Sequence, residues 1–295
     1  MNILITGGSG FIGQRLINHF IGLKFKVTAL IHHSPVNNSN CKIVTSLNEI
    51  DKNEVFNVAI NLAGSKINKL WRKCYKEELI KSRTDTTRSL VALINQLKTP
   101  PGILISGSAI GYYGGKTFDY IDENYSFSDD FLHQLCNAWE HEAYKINNKV
   151  TKIYITRLGV VIGKKSPFIQ SLLPIFKLGM GGKLGNGKQF LSWIHIADVV
   201  NIFDLMSKQK LPAGVYNLTA PQKLTNTKFT KTFGSLLKRP TKFHIPAWVI
   251  GLLFGEMGKS LLLNGSFVYP KALENHAYDF LFPDIHSALT EALKL

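Results

Sequence analysis

Cysteine and acidic residues are scarce in this chain of 295 residues. Its 3 cysteines, Cys41, Cys74 and Cys136, are far apart and show neither metal-ligand nor disulfide spacing. We therefore expect reduced thiols, no metal site and a cytoplasmic protein. Asp and Glu total 20 against 35 Lys and Arg, which gives a net charge of +15. Because the basic residues are dispersed along the chain, the sequence indicates no nucleic-acid partner.

Long hydrophobic runs are also missing. A membrane-spanning helix needs roughly 20 consecutive apolar residues. The most apolar stretch late in the chain, 247–255, is shorter than that and is followed by Glu256 and Lys259. This stretch predicts a buried or amphipathic helix, and we expect no membrane partner.

The clearest pattern that is present lies in residues 3–13. Residues 3–5 form an apolar run that is too short for a helix and typical of a buried parallel strand. Glycines follow at Gly7, Gly10 and Gly13, and the apolar period then becomes helical. A glycine turn used only for packing is one interpretation. The order of strand, glycine turn and helix favours a dinucleotide site, with contacts from Gly7, Ser9, Gly10, Phe11, Ile12 and Gly13.

No acidic residue occurs before Glu49. NAD enzymes of this type place an Asp or Glu at the end of the second strand, on the ribose hydroxyls. The second strand predicted here, 26–31, is followed instead by His32 and His33. The sequence therefore favours NADP(H) over NAD(H), with these histidines as phosphate contacts. A solvated turn is the alternative for both histidines.

Small and polar residues follow the later strands, and ligands of parallel sheets bind at the carboxyl ends of strands. Ser108 is expected to hold a substrate oxygen, while Tyr112 or Tyr113 passes a proton. An exposed helix charge is the alternative for Arg83, and a structural role is the alternative for Ser106 and Ser108. Further cofactor contacts are expected from Leu62, Ala63, Gly64, Arg83, Ser106, Gly107, Arg157 and Gly159.

Apolar strands alternate with helical periods along most of the chain. This alternation predicts an α/β protein with a Rossmann-type doubly wound parallel sheet and a smaller, helix-rich C-terminal lobe. We assign residues 1–163 to an NAD(P)-binding domain, to which 193–220 return, and 164–295 to a substrate lobe and a small C-terminal domain. Residues 193–198 are expected to open a helix. His195 is expected to be a packed or capping residue rather than a catalytic one.

The order of motifs resembles the extended short-chain dehydrogenases/reductases, in their epimerase branch. The resemblance rests on residues 6–13, 61–64 and 106–114. It implies a Rossmann fold, a nicotinamide cofactor and a small-molecule substrate. Further motifs resemble one bacterial subgroup of this branch, whose members carry a C-terminal domain of unknown function. These motifs are 82–83, 135–136, 139–140, 181–182, 192–196, Asp198, 255–257 and 270–273.

One departure from this superfamily concerns catalysis. Its enzymes carry Tyr-x-x-x-Lys on the helix after the serine-bearing strand, where the lysine lowers the pKa of the phenol. The corresponding helix here, 131–143, contains neither residue type, and Tyr112 and Lys116 have that spacing only in a loop. Two functions stay open: an NADP-dependent oxidoreductase acting on a small polar substrate, and a cofactor-binding regulatory or scaffold protein. A homodimer is compatible with both.

Overall fold

The structure, a computed structural model, describes residues 1–31, 40–116 and 119–294. Its strands are β1 (Asn2–Thr6), β2 (Lys26–Leu30), β3 (Cys41–Val44), β4 (Val58–Asn61), β5 (Ile103–Ala109), β6 (Lys152–Leu158), β7 (Val160–Ile162), β8 (Gly182–Leu184), β9 (Trp193–His195), β10 (Gly214–Leu218) and β11 (Phe243–Ile245). Its α-helices are α1 (Phe11–Gly22), α2 (Lys73–Gln96), α3 (Phe131–Ala143), α4 (Pro167–Lys177), α5 (Ile196–Ser207), α6 (Asn226–Leu236), α7 (Ala247–Gly258), α8 (Lys271–Asn275) and α9 (Ile285–Ala292). Short helical turns span Leu47–Glu49, Ile110–Tyr113 and Lys259–Leu263.

The central sheet has the strand order β10-β6-β5-β4-β1-β2-β3, and every pair in it is parallel. The chain runs outward from β1 to β3, crosses back to β4, and then runs outward in the opposite direction. This reversal creates a topological switch point between β1 and β4, which is where dinucleotides bind in such sheets. The predicted doubly wound parallel sheet is confirmed.

Helices cover both faces of this sheet. On one face α1 packs with α5, and Leu16, Phe20 and Phe203 are fully buried there. On the other face α2 packs with α3, and Leu90 and Ile94 are fully buried. Strands buried on both faces read as continuous apolar runs, which explains why the sequence shows no polar alternation in residues 3–5.

A second, smaller core lies in the C-terminal part of the chain. Phe176, Phe229 and Phe233 pack there with Trp193 and Leu289. Two short parallel pairs, β7 with β9 and β8 with β11, support this region. The predicted helix-rich C-terminal lobe is therefore confirmed.

Residues 193–195 correct one sequence prediction. They form β9 rather than the start of a helix, because they pair in register with Val160–Ile162, and α5 begins only at Ile196. His195 caps that helix as expected: its Nδ1 accepts the Ala197 N–H at 3.2 Å, and its Nε2 lies 2.8 Å from Glu291 Oε2.

Within residues 193–220, one strand and one helix contact the central sheet and its helices. Strand β10 pairs with β6 at the edge of the central sheet, and α5 packs on α1. The domain division at residue 163 stays a prediction.

Candidate functional site

The glycine turn after β1 uses two of its glycines to bring backbone segments together. Gly7 has a φ of 73°, and a Cβ on it would lie 2.6 Å from the Leu62 carbonyl carbon. A Cβ on Gly13 would overlap the Gly7 carbonyl oxygen. Internal packing alone therefore requires glycine at both positions.

Gly10 is different, because space remains around it. Among the described residues, a Cβ on Gly10 would meet the Gly7 carbonyl oxygen at 3.2 Å and nothing else nearby. Gly10 is the N-cap of α1 and offers no side chain to the helix, whose first turn carries no acidic residue. The first N–H groups of a helix have no partner within it and bind phosphates readily. The bare backbone at Gly10 thus fits a ligand rather than a packing requirement.

A cavity of about 330 Å³, called here the glycine cavity, opens beside this helix start. Its glycine edge suits a pyrophosphate, and its apolar wall suits a nicotinamide ring. It therefore brings together six of the predicted cofactor contacts with five residues that the sequence did not indicate. The former are Gly7, Gly10, Phe11, Ile12, Gly13 and Leu62; the latter are Trp139, Leu158, Val161, Pro167 and Phe168.

Other predicted cofactor contacts lie at the margin of the glycine cavity. Ala63 is buried beside Gly7, and Ser9 is half-buried, with its carbonyl oxygen accepting a hydrogen bond from Gln14 Nε2 at 3.0 Å. The predicted phosphate contacts His32 and His33 lie outside the described residues.

A row of hydrogen bonds crosses the sheet below this cavity. Thr6 Oγ1 donates to Asn61 Oδ1 at 2.7 Å, and Asn61 Nδ2 donates to Thr87 Oγ1 at 2.7 Å and to Ser106 Oγ at 3.3 Å. Thr6, Asn61 and Ser106 stand in register on β1, β4 and β5. Ser106 is fully buried, so its hydroxyl ties neighbouring strands together at the floor of the site.

A second row is charged and forms what we call the buried network. Ser108, Arg157 and Asn217 stand in register on β5, β6 and β10. Glu140 from α3 accepts from Ser108 Oγ at 2.6 Å and from Arg157 Nε and Nη2 at 2.9 and 3.0 Å. Arg157 Nη1 donates to the Tyr113 hydroxyl at 3.1 Å, and that hydroxyl donates to Asn217 Oδ1 at 2.7 Å. Each of these residues is at least 95% buried.

The electrostatics of the buried network follow from its burial. Withdrawal from water raises the pKa of Tyr113 to about 12, in spite of the nearby Arg157 charge. Burial acts to lower the pKa of Arg157, but its hydrogen bonds and ion pair with Glu140 outweigh that effect and raise it. The Arg157 guanidinium carbon also lies 3.4 Å from the centre of the Tyr112 ring. At neutral pH the phenol of Tyr113 therefore stays protonated, with its hydrogen directed at Asn217.

A further cavity of about 330 Å³ adjoins the glycine cavity, and we call it the Arg83 cavity. Trp139 and Leu158 line both cavities. Residues from β5, α3, the β6–β7 junction and the segment after α7 enclose it. Of the predicted site residues, it brings together Arg83, Tyr113 and Gly159, whereas Ser108 and Tyr112 are not among its lining residues.

Two further predicted contacts take part in close packing. A Cβ on Gly64 would lie 3.0 Å from the Arg83 guanidinium carbon, and a Cβ on Gly107 would lie 3.1 Å from the Trp139 ring. Both glycines therefore let large side chains of the site approach the sheet.

Helix α3 supplies residues that sequence reasoning did not assign to the site. Cys136 lines the Arg83 cavity, and Glu140, one turn later, contacts Ser108. These two residues have the i, i+4 spacing of the superfamily's Tyr-x-x-x-Lys pair, and that spacing is the signal that could have identified them. Burial raises the pKa of the Cys136 thiol to about 12, so it stays protonated at neutral pH.

Residues 1–31, 40–116 and 119–294 contain neither a cluster of metal ligands nor a helix that could span a membrane. No group of three His, Cys, Asp or Glu side chains there could hold a metal ion. Nor does any helix in those residues combine the length and hydrophobicity needed to cross a membrane.

Comparison with known proteins agrees with this geometry. The model of the NAD dependent epimerase/dehydratase family matches residues 3–219, and a domain of unknown function, DUF1731, matches residues 245–292. An epimerase family protein of Mycobacterium bovis is 31% identical over 99% of this chain and 96% of its own length. The chloroplastic SDR39U1 homologue of Arabidopsis thaliana is 32% identical over 98% of this chain and 86% of its own length.

Solved structures extend the comparison. The crystal structure of human epimerase family protein SDR39U1 with NADPH is 30% identical, covers 99% of each chain and superposes with a TM-score of 0.89. The UDP-glucose 4-epimerase of Thermotoga maritima shares only the fold, at 15% identity and a TM-score of 0.79 over 99% of this chain and 97% of that one. The family model matches most of the chain, and the matched residues include the glycine turn and the topological switch point of the sheet. The chain is therefore an NAD(P)-binding member of the NAD-dependent epimerase/dehydratase family.

Proposed function

We propose that the chain is an NADP(H)-dependent oxidoreductase that acts on a small polar substrate in the Arg83 cavity. The observation that carries the proposal is the junction of the two cavities at Trp139 and Leu158. A dinucleotide whose phosphates lie at Gly10 would extend along the glycine cavity toward this junction. A bound nicotinamide cofactor supplies a hydride that is exchanged with a carbonyl carbon.

Two observations support NADP(H) as the cofactor. The chain has no carboxylate before Glu49, so none follows the second strand to repel a 2′-phosphate. The human relative, with 30% identity, was crystallised with NADPH. His32 and His33 remain the proposed phosphate contacts.

Tyr113 is the proposed proton donor. Tyr113 is one of the residues that line the Arg83 cavity, and its raised pKa keeps the hydroxyl proton in place at neutral pH. Proton transfer to a substrate oxygen would require the hydroxyl to leave Asn217, with Arg157 stabilising the oxygen that loses its proton. Ser108, which donates to Glu140, would then orient the Glu140 carboxylate and through it Arg157.

The buried network also favours a second function. Its hydrogen bonds occupy the hydroxyls of both Ser108 and Tyr113, and α3 contains neither the tyrosine nor the lysine of the superfamily. A protein that binds the cofactor and signals its redox state, without turnover, would be compatible with this arrangement.

Cofactor titration followed by a turnover assay tests both functions. We expect NADPH to bind about tenfold or more tightly than NADH, which corresponds to one phosphate interaction. NADPH absorbance is then followed with a panel of small aldehydes and ketones. Consumption supports the oxidoreductase, while tight binding without consumption supports the redox-sensing alternative. Equal affinity for NADH would contradict the NADP assignment.

A further inference from the structure

In the part of the chain that the structure describes, the Arg83 cavity is lined by positive charge without any negative charge to balance it. Among the described residues that line it, Arg83 carries the sole side chain that is charged at neutral pH. Its other walls are glycines, small polar side chains, and apolar or aromatic ones such as Leu132, Leu135 and Val160. A ligand that fills this space therefore meets one positive charge in surroundings that are otherwise uncharged and largely apolar.

Arg83 is held in place without being neutralised. Its Nη1 donates to the Leu79 carbonyl oxygen at 3.0 Å, and its Nη2 donates to the Ser65 carbonyl oxygen at 3.2 Å. None of the ion pairs formed within the described part of the chain includes Arg83. Burial lowers the pKa of Arg83, as expected for a cation withdrawn from water without a counter-ion. A guanidinium has five N–H donors, so several stay available to a ligand.

A second donor lies beside this guanidinium. Trp139 is 7% exposed, and its indole Nε1 has no hydrogen-bond partner among the described residues. The Arg83 guanidinium carbon lies 5.2 Å from the centre of the Trp139 ring. Buried donors in folded proteins are nearly always paired, with protein groups, water or ligand. The unpartnered Trp139 N–H and the unpaired Arg83 charge therefore both belong to residues that line the Arg83 cavity.

We propose that the substrate is a small monocarboxylate with an apolar body, and that Arg83 binds its carboxylate in the Arg83 cavity. The inference rests on the proposed function, because it assigns the substrate class of the same site. A planar guanidinium matches a carboxylate with two parallel hydrogen bonds. A nucleoside diphosphate carries more negative charge than one arginine balances. The cavity, about 330 Å³, is also at the small end of the range for ligand sites.

This role for Arg83 differs from the cofactor contact that the sequence predicts. Arg83 lines the Arg83 cavity and is not among the residues that line the glycine cavity. The ring of Trp139, which lines both, lies against the guanidinium. If Arg83 binds the substrate carboxylate, its replacement should weaken the binding of acids and spare NADPH. If Arg83 binds the cofactor, its replacement should weaken NADPH binding instead.

The first experiment compares an acid with its amide on the wild-type protein. Calorimetric titration of the NADPH-loaded protein with phenylacetate and phenylacetamide changes the charge of the probe at nearly constant shape. We expect the acid to bind about tenfold or more tightly, since it gains charge-assisted hydrogen bonds. Equal affinities would overturn the inference. So would the absence of binding by phenylacetate, phenylpyruvate and hexanoate alike.

The second experiment replaces Arg83. Arg83→Met should abolish the preference for the acid while leaving NADPH affinity within about twofold, since the cofactor contacts lie in the other cavity. Arg88→Met is the matched control, because Arg88 lies on the same helix with a side chain that is 57% exposed; it should keep the preference. An Arg83→Met protein that loses NADPH affinity but keeps the preference would overturn the inference.

Failure of the proposed function gives a different result. Wild-type protein that does not bind NADPH would contradict the oxidoreductase, and the acid and amide titrations on the cofactor-free protein would still decide the role of Arg83. Circular dichroism of each variant, compared with wild type, reports whether it is folded. The wild-type comparison decides the inference even if Arg83→Met does not fold.

Discussion

The glycine cavity and the buried network lie at the same edge of the central sheet, but they are made from different parts of the chain. The edge of the glycine cavity is backbone: one turn of seven residues, 7–13, places a helix start against a ligand space. The buried network is side chain: Ser108, Glu140, Arg157 and Asn217 come from four separate elements. The glycine edge therefore depends on local geometry, whereas the buried network depends on long-range contacts.

The same difference explains where this chain departs from its superfamily. A backbone site tolerates few changes at its glycines, because an added Cβ at Gly7 or Gly13 overlaps neighbouring backbone. A side-chain site can be rebuilt when compensating partners appear. Here α3 contains no lysine, and the charge of its Glu140 is balanced by Arg157 at 2.9 Å. We infer that the cofactor part of the fold is retained while its catalytic part has been rearranged.

The largest expected effect comes from breaking the ion pair of the buried network. Arg157→Met leaves Glu140 buried without its partner, which should lower the free energy of unfolding by about 3–5 kcal/mol. Urea unfolding measures it. Lys42→Met is the control, because its pair with Glu54 is exposed on the surface and should contribute less than about 1 kcal/mol. A similar loss of unfolding free energy in both variants would show that the buried ion pair stabilises the protein no more than the exposed one.

The next largest effect concerns NADPH binding at the glycine cavity. Gly10→Val should weaken NADPH binding about 100-fold or more, since its side chain would fill the space of the pyrophosphate. The free energy of unfolding should fall by about 1 kcal/mol, because the added Cβ makes one tight contact, with the Gly7 carbonyl oxygen at 3.2 Å. Gly22→Val, at the other end of the same helix, meets nothing within 4 Å and is the control. Unchanged affinity in Gly10→Val would mean that the glycine serves packing only.

The smallest effect separates two neighbouring tyrosines. Tyr113→Phe removes the hydroxyl between Arg157 and Asn217 and should lower the free energy of unfolding by about 1–2 kcal/mol. Tyr112→Phe keeps the ring that packs against Arg157 and should change it by less than about 0.5 kcal/mol. Thermal unfolding compares the two. NADPH affinity should stay the same in both variants. A loss of NADPH affinity in Tyr113→Phe alone would show that the buried network contributes to cofactor binding.

The sequence predicts the sheet and the cofactor edge well, because both signals are local. Apolar runs of a few residues, helical periods and three spaced glycines lie within short stretches of chain. It predicts less well where pairing across the chain decides the structure. Residues 193–195 have an apolar, helix-compatible pattern, yet they form a strand because 160–162 lie beside them. Strand pairing of this kind overrides local preference.

The sequence by itself determined the glycine turn, the alternation of strands and helices in the central sheet, and the lack of a carboxylate after the second strand. Tertiary structure alone decided what the polar side chains do. Ser108 meets Glu140 across 32 residues, and Tyr113 meets Asn217 across 104. Sheet register puts Ser108, Arg157 and Asn217 in one row, and α3 packing adds Glu140 to it. Arg83 likewise takes part in no ion pair within residues 1–31, 40–116 and 119–294. No spacing in the sequence records such pairings, since they arise when distant elements are buried together and each buried polar group must find a partner.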